Sequence, residues 1–235
     1  MILNLLRADL LKVKKAIWLI VILGPVGVVS MQAANYAMRF DYLISQRSDK
    51  WIFLIENIHN FWPSALILGI TLITSLFASI EHQTNSWKKI LSLPVKKIHI
   101  YHSKLIIIIC MLIVSAIILF GGTFLLGVFC GFGGSFPLYS AFKMSFYTLF
   151  AATPFIFLQF WLSVNYSNQG IALTLGIASS VFTMYSYGLP NWFPWRWPLL
   201  SENIDRGMIF AFYGLGLGLL LCLSCLFYLS RKDVN

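Results

Sequence analysis

Four histidines, four cysteines and eight carboxylates are the side chains of this sequence best suited to ligate a metal, attack a carbonyl or relay a proton. Their positions argue against each chemistry. His82, His99 and His102 fall in one polar stretch and His59 borders another, so no histidine serves as a base for the serines and threonines of the apolar runs. His99-x-x-His102 has the spacing to bracket a metal on a helix, but solvated interfacial histidines are the simpler reading, and no metal site is expected. Cys222-x-x-Cys225 lacks the strand-turn-helix setting of a redox motif. Like Cys110, these thiols sit inside apolar runs, where small side chains serve helix packing. No G-x-x-x-x-G-K-[ST] occurs, so this chain does not hydrolyse ATP through a P-loop. No Asp, Glu, Lys or Arg lies midway along an apolar run, which disfavours an ion-coupled carrier. An enzyme is not expected.

The elements that carry these residues are apolar. Hydrophobic residues make up 59% of the chain, charged ones 11%, and the mean hydropathy is +0.80. Soluble domains carry roughly a quarter charged residues. With so few, the chain cannot both wrap a core and wet a surface, so lipid is its main solvent. A net charge of +9 in a soluble protein would suggest nucleic acid. Here the basic residues cluster beside apolar runs, the pattern of cytoplasmic membrane flanks, and no nucleic-acid partner is expected.

The reading is an all-α integral membrane protein with one transmembrane domain over residues 1–235. Residues 1–15 form an amphipathic interfacial helix, with Ile2, Leu5, Leu6, Leu10 and Val13 on one face and Asn4, Arg7, Lys12 and Lys14 on the other. Asp9 intrudes on the apolar face, where only a partner on a neighbouring helix would account for it. Apolar runs at about 16–35, 60–80, 105–130, 144–166, 171–189 and 208–230 give about six spans. The first run is too long for a signal-peptide core and is expected to stay as an anchor, kinked at Gly24-Pro25. Residues 36–59, with mixed charges, read as a loop. No charge occurs from Met144 through Trp195, 195 − 143 = 52 residues, or about 78 Å of helix against a hydrocarbon core of about 30 Å. The polar cluster from Ser163 to Gly170 is the break. Arg7, Lys12, Lys14, Lys15, Lys88, Lys89, Lys96, Lys97, Lys104, Arg231 and Lys232 outnumber the basic residues of the other side, which places both termini in the cytoplasm.

The most polar stretch is Glu81 to Lys104. Trp87, Ile90 and Leu91 fall at i, i+3 and i+4, one apolar ridge on a short helix, with Lys88 and Lys89 pointing away. Pro94 disfavours the helical state at Leu93 and forces a turn before a second helix begins near Lys96. The segment is either a knob offered to an aqueous partner or a basic loop resting on anionic lipid with Trp87 as anchor.

An acid ending the second span, a Thr/Asn/Ser stretch, W-K-K-I-L-S-L-P-V from Trp87 to Val95 and a Lys before the third span resemble the cytoplasmic loop of ABC-2 type permeases. The resemblance extends to the N-terminal helix, six spans and both termini inside. It implies that the loop is a coupling helix docking on an ATPase subunit, with Glu81, Thr84, Trp87, Leu93, Pro94 and Lys104 carried over as coupling residues beside Ile90 and Leu91 of the ridge. Glu81 also has a plainer role, a helix-end charge pairing with Lys104 or Arg7. Many family loops carry Gly before Thr, whereas Gln83-Thr84 stands here. L-Q-F-W-L-S from Leu158 to Ser163 and L-P-N-W-F-P-W-R-W-P from Leu189 to Pro198 are similar to one subgroup, the lantibiotic and bacteriocin self-immunity permeases related to bacitracin-resistance permeases.

That resemblance implies the permease subunit of an exporter in a bacterial cell membrane, removing amphipathic peptide antibiotics, with ATP and Mg held by separate ABC ATPase subunits and a second, identical or similar permease chain alongside. A membrane accessory or sensor subunit that does not transport is the alternative. Candidates for the substrate path or lid are Pro154, a kink or flexing point, Gln159, and Trp192, Trp195, Arg196 and Trp197, where prolines 190, 194 and 198 preclude a regular helix. An aromatic belt re-entering the outer leaflet is the simpler reading of the tryptophans. Gly214, Gly216 and Gly218 permit close helix approach, within the chain or between chains.

Overall fold

The computed structural model describes residues 6–7, 9–11, 13, 15–83, 97–200 and 207–231, and among them there is no strand. Eight helices follow one another: α1 (Lys15–Ser45), α2 (Lys50–His59), α3 (Trp62–Gln83), α4 (Lys97–Phe129), α5 (Leu138–Ala151), α6 (Thr153–Asn165), α7 (Gln169–Met184) and α8 (Gly207–Arg231). Residues 6–7 and 9–11 are helical as well. Thr84, Trp87, Ile90, Leu91, Leu93 and Pro94 lie outside the described residues.

Residues 36–59, expected as a loop, are helical apart from residues 46–49. Helix α1 runs on to Ser45, and it departs from helical dihedrals at Arg39 (φ −135°, ψ 34°), not at Gly24-Pro25. Asp49 then caps α2, its side chain accepting from the amides of Trp51 and Ile52 at 3.1 Å each. The charges that suggested a loop sit on the outward side of this structure. Arg47 and Glu56 pair at 2.8 Å in solvent, while Trp51, Leu54, Ile55 and Ile58 of α2 are buried. Gln32 of α1 donates to Asn57 O at 3.0 Å and ties the two helices together.

Helix α3 is the axis of the bundle. It packs against α1, α6 and α7, and Trp62, Leu66, Ile67, Ile70 and Ile73 are almost fully buried. Close approach to α7 depends on small residues: a Cβ at Gly176 would lie 2.1 Å from Thr71 Oγ1, and Ser180 Oγ donates to Ser64 O at 2.9 Å. Helix α8 meets the α5–α6 bend in the same way. A Cβ at Gly214 would lie 2.4 Å from Ala151 Cα, and Thr153 donates to Gly214 O at 2.7 Å. The glycines of α8 therefore divide. Gly214 and Gly218 face the chain's own helices, whereas a Cβ at Gly216 would meet nothing within 4 Å.

The outward faces are apolar. Leu19 and Leu23 of α1 and Phe212, Leu219, Leu220 and Leu223 of α8 are all more than half exposed, a surface suited to hydrocarbon and not to water. Among the described residues, four helical stretches are long and apolar enough to cross a membrane: α1, α2 with α3, α4 and α8. Helices α5 and α6 pass the same test as a pair bent by 42°. The bend falls at Ala152, just before Pro154 in the first turn of α6. Helix α7 is apolar but has 16 residues, about 24 Å.

Candidate functional site

The residues flanking segment 84–96 converge on one buried ion cluster. Glu81 lies in the last turn of α3 and Lys104 about two turns into α4, and they form an ion pair. Lys104 Nζ also lies 3.2 Å from Asp9 Oδ1, in the N-terminal helical segment, and Ser103 Oγ donates to Asp9 Oδ2 at 2.7 Å. Exposures of 6% for Asp9, 3% for Glu81 and 3% for Lys104 set the cluster apart from a surface salt bridge.

Local sequence explains the geometry. Leu6 and Val13 of the N-terminal segment are half-buried against the core, and Asp9 lies on the same stripe at i+3 from one and i−4 from the other. The carboxylate is buried because its helix buries that face. The consecutive pair Ser103-Lys104 then gives one of its carboxylate oxygens a hydroxyl and the other an ammonium. Two carboxylates share this ammonium, and Glu81 Oε2 has no hydrogen-bond partner among the described residues. Taking such charges out of water costs several kcal/mol per ion, and the mutual attraction offsets that only while all partners stay in place. The arrangement is therefore intolerant of losing one member.

A second set of bonds holds the same end of α3 from the other side. His82 Nε2 lies 3.2 Å from Ser163 O, Ser75 Oγ lies 3.4 Å from Ser163 Oγ, and Gln169 Nε2 donates to Ser163 O at 2.9 Å. Through Ser163 the end of α3 is fastened to the α6–α7 turn. Through Glu81 and Lys104 it is fastened to α4 and the N-terminal segment. These bonds tie the ends of α3 and α4 that flank segment 84–96 to the rest of the bundle.

The cluster thus joins three elements of the bundle at one buried point. A family model described as ABC-2 family transporter protein matches residues 5–186, which include Asp9, Glu81 and Lys104. The chain belongs to the ABC-2 transporter family. It is a multi-pass membrane protein and the transmembrane subunit of a transport system, and the family implies association with an ABC ATPase. Comparisons of this ABC-2 permease with curated proteins and with solved structures find no match.

The candidate path residues do not form one site: the aromatic cap lies toward the opposite end, whereas Gln159 lies one turn from Ser163. Pro154 and Gln159 are buried in α6, and Gln159 Nε2 donates to Ala172 O at 2.6 Å, a joint between α6 and α7. Trp195 stacks on Phe193 at 5.1 Å and meets Phe155 edge-on at 5.3 Å, so it packs inward. Arg196 is buried and donates to Leu189 O. Trp197 donates its indole N–H to Asn191 O at 2.8 Å, while Trp192 stands 73% exposed. Bonds from His59 to Leu199 O at 2.7 Å and from Tyr187 to Asn60 at 3.3 Å fix this aromatic cap to the α2–α3 junction.

Sequence reasoning noted Asp9 without finding its partner, and it missed Ser103 and Ser163. The signal for Asp9 was its place on an apolar stripe. Ser103 sits in the polar stretch and Ser163 opens the polar break, but no local spacing points to the partner of either.

Proposed function

We propose that this permease is the membrane subunit of an ATP-driven exporter in a bacterial cell membrane, moving amphipathic peptide antibiotics of the lantibiotic and bacteriocin type. Separate ATPase subunits bind ATP and Mg and engage segment 84–96 through Trp87, Ile90 and Leu91, with Thr84, Leu93 and Pro94 shaping the turn. A second permease chain completes the path. In this reading α7 supplies a sixth crossing, both termini lie in the cytoplasm, and the Asp9–Lys104–Glu81 cluster faces the ATPase side.

The observation that carries the reading is that cluster. It joins both ends of the loop that the family resemblance assigns to ATPase contact, and it recruits the N-terminal segment to the same point. The described buried charges (Asp9, Glu81, Lys104, Lys143 and Arg196) lie within about two turns of a helix end or in the cap, leaving the middle of the bundle without fixed charge. A strongly polar solute would lose its hydration there without compensation, at several kcal/mol. An amphipath already in the bilayer avoids that cost.

The test is survival. Cells expressing the chain with its ATPase should withstand higher doses of a lantibiotic and release more of it to the medium, and a Walker-A variant of the ATPase should abolish both effects. Unchanged sensitivity across lantibiotics and bacitracin, with the complex shown to be assembled, would exclude this cargo.

A further inference from the structure

Between the aromatic cap and α8 lies an open groove of about 690 Å³, lined by Asn191, Trp192 and Trp197 from the cap and by Phe212, Tyr213 and Gly216 from α8, with Leu217 beside them. Trp192, Phe212 and Tyr213 are all more than half exposed, and Trp197 leans against Tyr213 with ring centroids 5.9 Å apart. The position of Gly216 keeps the floor low, since a Cβ there would meet nothing within 4 Å. Phe212 to Gly216 lie roughly 8–14 Å along α8 from Gly207, a depth near the boundary of headgroups and hydrocarbon if the helix enters the bilayer at its start. The groove thus opens where an amphipath in the bilayer carries its charge.

Part of the polarity of this groove is committed. The Trp197 N–H is bonded to Asn191 O, and the Arg196 guanidinium points to Leu189 O rather than lining the groove. What remains is mostly aromatic surface, whose negative ring faces attract a cation without needing to accept hydrogen bonds. A primary ammonium would have to give up hydrated N–H donors for few acceptors. A fully alkylated cation has none to give up. A phosphocholine headgroup brings a phosphate as well, and among the described residues no basic side chain lines the groove to meet it. We infer that this groove binds quaternary-ammonium amphipaths, a fully alkylated cation between Trp192, Trp197 and Tyr213 with its alkyl tail along α8. The inference rests on the groove alone and needs neither ATP nor transport, so its failure would leave the exporter reading standing.

The experiment is equilibrium binding of radiolabelled dodecyltrimethylammonium to the full chain in nanodiscs of neutral lipid. Saturable binding is expected, displaced by the unlabelled cation but not by equal concentrations of dodecanol or dodecylphosphocholine. Trp192→Leu keeps an apolar wall and removes an exposed ring, and should weaken binding roughly tenfold, the scale of a lost cation–π contact. Gly216→Leu fills the floor at an open helix position and should weaken binding at least as much, with the thermal midpoint unchanged in both variants. Gly216→Ala should bind like the parent. Equal displacement by dodecylphosphocholine would make the groove a lipid site, and equal displacement by dodecanol would make it merely apolar. Either result, or affinities unaltered in Trp192→Leu and Gly216→Leu, or no saturable binding, overturns the inference.

Discussion

Lys104 of α4 lies 3.2 Å from Asp9, 95 positions earlier in the chain, and the two meet in a site where neither is more than 6% exposed. Glu81 joins the same ammonium from α3. Three separate elements are thus held at one point by charge.

Removing the ammonium should therefore be the costliest single change in the cluster. Lys104→Met removes the ammonium that two buried carboxylates share and should cost about 3–5 kcal/mol, seen as a lowered thermal midpoint of the purified chain. Asp9→Asn and Glu81→Gln should each cost less, since one carboxylate still faces the lysine. The triple variant, with all three of these charges removed together, should recover much of the loss. Additive losses across the three positions would show that the charges do not act as a unit.

Helix α8 offers an internal control on packing. Gly214→Ala places a methyl group 2.4 Å from Ala151 Cα, where backbone must give way, and should destabilise by about 1–3 kcal/mol. Gly216→Ala, two residues on, meets open space and should leave the midpoint unchanged. Equal effects at both positions would place α8 in a different rotation against α5 and α6.

Much of this was legible in the sequence, and the reasons differ by element. The apolar runs announce helices in lipid because so few charges interrupt them. The mixed charges of 36–59 misled, because an amphipathic helix under a polar surface carries the same composition as a loop; the capping Asp49 and the buried Trp51, Leu54, Ile55 and Ile58 are what distinguish it. Of the ion cluster, Glu81 with Lys104 was nameable as a pair, while its link to Asp9 was not, since a contact across 95 positions leaves no local spacing. The tryptophans of the cap read as one cluster, yet the fold turns Trp195 inward and leaves Trp192 outside, a division that depends on packing against Phe155 and Phe182.

Orientation has its own test. In a background without Cys110, Cys130, Cys222 and Cys225, single cysteines at Ser48 and Ser201 should react with an impermeant maleimide from outside the cell. Cysteines at Ser86 and Asn235 should react only after permeabilisation. Labelling of Ser86 in intact cells would invert the proposed topology.

Contact with the ATPase should depend on Trp87. Truncating a buried aromatic anchor costs at least about 2 kcal/mol, or roughly thirtyfold in affinity. Trp87→Ala should thus remove the ATPase from pull-downs while the permease stays in the membrane. Undiminished co-purification and stimulated hydrolysis would favour a loop resting on lipid.

The central claim is that the buried cluster carries movement from the ATPase into the bundle. The most direct measurement is the amount of labelled lantibiotic moved per ATP hydrolysed in proteoliposomes holding permease and ATPase, with the parent chain compared with the Asp9→Asn, Glu81→Gln, Lys104→Met triple variant. The triple variant should assemble and still hydrolyse ATP but move severalfold less peptide per ATP. An unchanged ratio of transport to hydrolysis in a fully assembled triple variant would contradict the claim.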